Sequence, residues 1–234
     1  MVTLLLAVLL VGQAVIAPQP RIRNRTLPVD EVGTITYGIS VPGDYDETNP
    51  RPLVLALHPG GPRGAYYGSR YMAQVVLRGL GDLRAIVVAP DCPARSWSDP
   101  QAERVLLELL EKVRQDYAID GRRILVTGFS MGGRGTWFMS SQHPDLFTGA
   151  IAMAAPVGDI PLDRRGMIPT YVIHSRDDLV VPFAPAERAT AQLEALGRTV
   201  MFEGLTGPGH GDMADYVDAL RRGGLWIAEK WDNQ

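Results

Sequence analysis

Residues 124–133 read ILVTGFSMGG, an apolar run that ends on a serine bracketed by glycines. Ile124, Leu125 and Val126 have the character of a short buried strand, and the residues from Met131 through WFMSSQH have that of a helix. Ser130 therefore falls at a strand-to-helix turn. In such a turn the pivot residue is forced into a strained backbone, and flanking glycines remove the Cβ atoms that would clash with the adjoining elements. The hydroxyl is held outward at a helix start, where the unpaired N–H of Met131 points to the place a negative oxygen would develop. This is the GxSxG elbow pattern. Alone it is also satisfied by a tight turn with a serine N-cap, so the rest of the chain has to supply a base, an acid and a second N–H donor.

Composition narrows the classes. At 234 residues, 46% hydrophobic and 21% charged, the chain suits one globular domain, over residues 18–234, with a sizeable core. The net charge of −3 and the spread of Lys and Arg provide no basic field for nucleic acid. Cys92 is the single cysteine, so no internal disulfide forms, and no closely spaced Cys/His set suggests a zinc site. Residues 1–17, MVTLLLAVLLVGQAVIA, are apolar and uncharged, as in the core of a signal peptide, and otherwise an N-terminal anchor. Cleavage after Ala14 suits the small-residue rule better than cleavage after Ala17, which would leave Pro18 next. A secreted or periplasmic location is expected, without stable membrane insertion once the segment is removed.

Past Pro28, short apolar runs alternate with longer helical patterns. Strands are predicted over 34–41, 53–58, 85–90, 124–129, 150–155, 171–175 and 199–204, and helices over 103–117, after Ser130 and over 184–196. Several strands are apolar without alternation, as in parallel sheets covered on both faces. The expected class is α/β, a mostly parallel sheet of about seven to eight strands with helices on both sides. Reacting groups in such sheets gather at the carboxyl ends of the strands, and there the chain carries HPGG, Ser130, HSRDDLVVP and GPGHGD.

Ser130 needs a base. His58 reads as a loop anchor, His143 as a charge at a helix C-terminus and His174 as a core residue. His210, in a glycine loop after the last strand, is free to lean over the sheet edge toward the serine. Its orienting carboxylate is Asp178 or Asp177 in the loop after YVIHS. Asp212 reads as the N-cap of a helix starting at Met213. For the second oxyanion donor, Gly60 is the first choice and Gly61 the next, since Pro59 has no N–H.

Ser130, Asp178 and His210 in that order, with HPGG upstream, resemble the α/β-hydrolase superfamily from about Asp30 onward. LHPGG, GFSMGGRGTW, HPDLF and HSRDDLVVP are similar to its dienelactone-hydrolase-like, polyhydroxybutyrate-depolymerase-like and predicted-peptidase esterases. The resemblance selects Asp178 over Asp177 by its spacing from His174 and Pro182, and Pro59 departs from the glycine common after the histidine. It implies a Ser–His–Asp serine esterase without metal or organic cofactor, acting on small or polymer-borne esters. Only residues 156–169 separate the strand at 150–155 from the next, too few for a large cap, which implies an open cleft for short to medium acyl groups. Trp97 reads as a wall of that cleft or as an aromatic pinning its loop to the core. A peptidase or amidase using the same groups, and a non-catalytic binding protein on the same scaffold, are the competing readings.

Overall fold

The apolar runs without alternation become the centre of one sheet. The computed structural model describes residues 21–61 and 64–233, so the leader expected at 1–17 lies outside the described residues. The strands are β1 (Arg21–Val29), β2 (Gly33–Val41), β3 (Arg51–Leu57), β4 (Ile86–Pro90), β5 (Ile119–Phe129), β6 (Gly149–Met153), β7 (Thr170–Ser175) and β8 (Val200–Leu205). They lie in the order β1-β2-β4-β3-β5-β6-β7-β8. β2 runs antiparallel to β1 and β4, and the pairs from β4 through β8 are parallel.

Successive β3 residues feed opposite layers. Leu53, Leu55 and Leu57 pack with Val105, Leu106, Leu109 and Leu110, whereas Val54 and Ala56 pack with Tyr71, Met72, Val76 and Leu220. Both faces are thus covered, which is why the strand shows no polar alternation. The helices are α1 (Tyr67–Tyr71), which continues through a π turn (Met72–Val76) into α2 (Leu77–Leu80), then α3 (Pro100–Asp116), α4 (Met131–Gln142), α5 (Phe183–Ala195) and α6 (Val217–Asp232). α3 starts where Asp99 accepts the Gln101 N–H at 2.9 Å with Pro100 in the first turn, a cap worth about 1 kcal/mol.

The expected fold class is present, with differences at its margins. β1 lies in a polar stretch where no strand is predicted, and the run α1–α2 is likewise absent from the predicted helices. β5 begins at Ile119, ahead of the apolar run. The turn at Met213–Tyr216 is 3-10, with α6 following only from Val217. Between β6 and β7 there is a single 3-10 turn, Leu162–Arg164, and no cap.

Candidate active site

The β5-to-α4 turn holds Ser130 at φ 54° and ψ −113°, a conformation that costs about 1–3 kcal/mol and persists only when its surroundings enforce it. Ser130 N–H donates to the Met153 carbonyl at 2.9 Å, and its own carbonyl accepts from Arg134 N–H at 2.9 Å. The neighbouring glycines are required by packing: a Cβ on Gly132 would enter the Leu57 carbonyl, and one on Gly128 would meet the Gly132 backbone. The bend is compressed against β3, and the serine side chain is left on the open side.

His210 follows β8. Its Nε2 lies 2.8 Å from Ser130 Oγ, and its Nδ1 lies 2.7 Å from Asp178 Oδ2. With Nδ1–H donating to the carboxylate, Nε2 is left to accept the serine proton. Phe129, with its ring centroid 5.5 Å from the imidazole, packs beside it. The other Asp178 oxygen, Oδ1, accepts N–H groups from Val180 at 2.9 Å and Val181 at 2.8 Å. Burial pushes the Asp178 carboxyl up, but the hydrogen bonds from His210, Val181 and Val180 outweigh it and hold the group below the usual carboxylate range. Asp177, the alternative acid, is exposed and accepts the Gly207 N–H at 2.6 Å, away from the imidazole.

The other titratable residues play supporting parts. His174 is fully buried on β7. Its Nε2 donates to the Val181 carbonyl at 2.9 Å and stands 3.5 Å from Asp178 Oδ2, so it braces the loop that carries the acid. Burial pushes its pKa down, against the pull of the Val181 carbonyl and Asp178. The sequence reading of a core histidine missed this contact, although the spacing of four residues from Asp178 was visible. His58 lies under the loop after β3, its Nε2 accepting Cys92 N–H at 3.0 Å and its Nδ1 at 2.7 Å from the Pro59 carbonyl. His143 Nε2 pairs with Glu103 at 2.7 Å. Asp212 does not cap through its side chain. Its Oδ2 accepts the Gly209 N–H at 2.8 Å, closing the turn that carries His210.

Met131 opens α4 beside the serine, and Gly60 lies against it: a Cβ at Gly60 would be 3.7 Å from Met131 Cβ. Two cavities meet at Ser130. One, of ≈ 350 Å³, is lined by Gly60, Gly61, Tyr67, Phe129, His210 and Met213. The other, of ≈ 300 Å³, is lined by Arg95, Ser96, Met131, Arg134, Pro156 and Val181. Tyr67 escaped the sequence reading. It is set in place by Asp91 at the end of β4, whose carboxylate accepts the N–H of Tyr66 at 2.5 Å and of Gly68 at 2.7 Å. Trp97 requires a correction as a cleft wall. It is wholly buried and donates from Nε1 to the His58 carbonyl at 2.9 Å, with Gly135 against its Cβ, so it supports the loop after β3 from beneath and offers no face to a ligand.

A doubly covered parallel sheet with a strained serine at its centre and a histidine and carboxylate brought to it from later loops defines an α/β-hydrolase arrangement. The family profile described as alpha/beta hydrolase fold matches residues 53–172, and the chain belongs to that family. A probable feruloyl esterase C of Aspergillus niger is 26% identical over 173 residues, 69% of this chain and 62% of that protein. A putative carboxymethylenebutenolidase of Methylorubrum extorquens is 24% identical over 244 residues, 88% of this chain and 82% of that protein. Among solved structures, a thermostable esterase superposes with a TM-score of 0.71 at 30% identity, covering 91% of this chain and 60% of the other. A ferulic acid esterase superposes at 0.75 with 17% identity, covering 90% and 98%. The chain spans about six-tenths of the length of the feruloyl esterases C that it matches.

Proposed function

We propose that this protein is a serine hydrolase that cleaves carboxylic esters through an acyl-enzyme. The observation that carries the proposal is the unbroken hydrogen-bonded chain from Ser130 Oγ through His210 to Asp178, at 2.8 and 2.7 Å, mounted on a strained elbow. His210 Nε2 takes the serine proton as Oγ attacks the ester carbonyl, and Asp178 stabilises the imidazolium that forms. In this reading the N–H groups of Met131 and Gly60, residues that lie side by side next to the serine, receive the developing oxyanion. His210 then returns the proton to the departing alcohol oxygen. Water, deprotonated by the same imidazole, releases the acid and restores Ser130.

The esterase names of the relatives support ester over amide cleavage, and the capless segment between β6 and β7 supports short acyl groups or esters exposed on a larger molecule. Export is part of the proposal and rests on the apolar segment 1–17, which N-terminal sequencing of expressed protein would check. No helix among the described residues is long and apolar enough to cross a membrane.

The test is hydrolysis of p-nitrophenyl acetate, butyrate, octanoate and palmitate by wild type, Ser130→Ala and His210→Ala, with folding followed by circular dichroism. The shorter esters should be turned over by wild type alone, with both folded variants down by ~10³-fold or more in kcat. Activity surviving in Ser130→Ala would overturn the proposal.

A further inference from the structure

A further cavity lies toward the opposite end of the sheet from Ser130. It measures ≈ 340 Å³, at the lower end of the range for small-molecule sites. Its walls are Leu77 and Leu80 of α2, Ala85 and Val87 at the start of β4, and Pro42 just past β2. The chain from Ala85 to Asp91, which sets Tyr67 beside the nucleophile, spans about 20 Å when extended, so this cavity is remote from the cleft.

One polar side chain of its lining is deeply buried: Ser40, only 1% exposed. Ser40 lies opposite Val87 in the β2–β4 ladder, and opposed residues of an antiparallel pair point to the same face. Its hydroxyl therefore points into the helix layer that holds the cavity. Ser40 Oγ has no hydrogen-bond partner among the described residues. Ser69, a buried serine of α1 packed against β2, shows the contrast, its Oγ donating to Asn24 Oδ1 at 2.7 Å. A buried hydroxyl left unpaired is destabilising, and it calls for a partner that the fold does not supply. The wall side chains give a water no second partner, whereas internal waters take two to four. Charges are confined to the exposed rim and are paired there: Asp44 accepts from Arg84 and, at 2.8 Å, from Arg51, and Asp82 lies 3.9 Å from Arg221. An ion would have to lose its hydration to enter the apolar interior, so the interior favours a neutral guest.

We propose that this cavity binds a small neutral amphiphile, an alcohol or a phenol, whose hydroxyl pairs with Ser40 and whose hydrocarbon body lies against Leu77, Leu80 and Val87. Such binding needs nothing from Ser130, so this site goes beyond the esterase reading and stands or falls apart from it.

The experiment titrates isotope-labelled protein with 4-ethylphenol and with 4-ethyltoluene, in which a methyl group replaces the hydroxyl, and follows the backbone amide NMR shifts. For wild type the shifts should centre on residues 40–44 and 77–87, with a Kd for the phenol on the order of 10⁻⁴ M. The phenol should bind about fivefold tighter than 4-ethyltoluene, the scale of one neutral hydrogen bond. Ser40→Ala should bring that ratio to about one by weakening the phenol alone. Val87→Phe, which fills the interior, should remove the shifts caused by both probes. Gly81→Phe should do the same from the lining without threatening the fold, since Gly81 has helical backbone at φ −56° and a Cβ there meets no atom within 4 Å. No shifts up to the solubility limit of the probes, or shifts confined to Gly60, Tyr67 and His210 around Ser130, overturn the proposal. So does a phenol preference that persists in Ser40→Ala, or binding untouched by both filling substitutions. None of these outcomes bears on ester hydrolysis, which the p-nitrophenyl assay decides separately.

Discussion

Replacing Asp178 by Asn tests the proposed mechanism at its most specific point. Each carboxylate oxygen faces hydrogen-bond donors: Oδ2 the His210 Nδ1–H at 2.7 Å, and Oδ1 the N–H groups of Val180 and Val181. An amide cannot serve both sides. Turning its NH₂ toward Val180 and Val181 would strand two backbone donors, at ~1–3 kcal/mol each. The NH₂ therefore faces His210, whose Nδ1 must become an acceptor, and the ring proton moves to Nε2, where it points at Ser130 Oγ. The histidine is then in the wrong tautomer to act as base. The lost charge adds to this: two unit charges about 4 Å apart at an effective dielectric of ~20 interact by ~4 kcal/mol, a factor of ~10³ on an imidazolium-forming step. Together these give an expected fall of ~10³–10⁴ in kcat on p-nitrophenyl butyrate, with KM little changed and the circular dichroism spectrum retained. A folded Asp178→Asn protein keeping a tenth or more of wild-type kcat would refute the assignment of Asp178 as the group that orients His210.

Asp177→Ala should behave differently, because among the described residues its carboxylate serves only the Gly207 N–H: a loss of about 1 kcal/mol in unfolding free energy and kcat within about threefold of wild type, both read from one preparation by denaturant titration and rate assay. The depressed pKa of Asp178 has a stability consequence. Its contribution is fully present above the unfolded carboxyl value of about 3.9 and is lost as pH falls through the lower folded value. The Tm gap between wild type and Asp178→Asn should accordingly hold from pH 7 to about pH 5 and narrow below about pH 4, and a gap that widens on acidification contradicts the sign. Gly132→Ala drives a methyl into the Leu57 carbonyl with the His58 carbonyl also within reach, and neither backbone group can rotate aside, so the loss should reach at least the ~3 kcal/mol upper end of ordinary overpacking. A melting curve within a few degrees of wild type would show the elbow to be looser than its geometry indicates.

How much of this was legible in the chain varies by element. Ser130 stands out because the elbow is a local device: strand, glycines and helix start are contiguous, and their steric logic needs no partner. The central strands are visible because burial on both faces makes them uniformly apolar. β1 was hidden because only Leu27 and Val29 of its residues are buried and it carries Pro28, which an edge strand tolerates. Trp97 could be read two ways, and burial beneath the loop after β3 excludes the cleft wall.

The sequence by itself determined the fold class, the proposed nucleophile and the short list of its candidate partners, since those depend on periodicity and on residue types with few other uses. The family resemblance favoured Asp178, and only the tertiary structure shows where the two adjacent carboxylates go, a single turn sending Asp178 to His210 and Asp177 to Gly207. It alone revealed His174 behind the acid, Tyr67 on one side of the serine and Arg95 and Arg134 on the other. Those residues are brought together by strand order and loop paths, and a contact between side chains far apart in the chain leaves no mark on the periodicity of either segment.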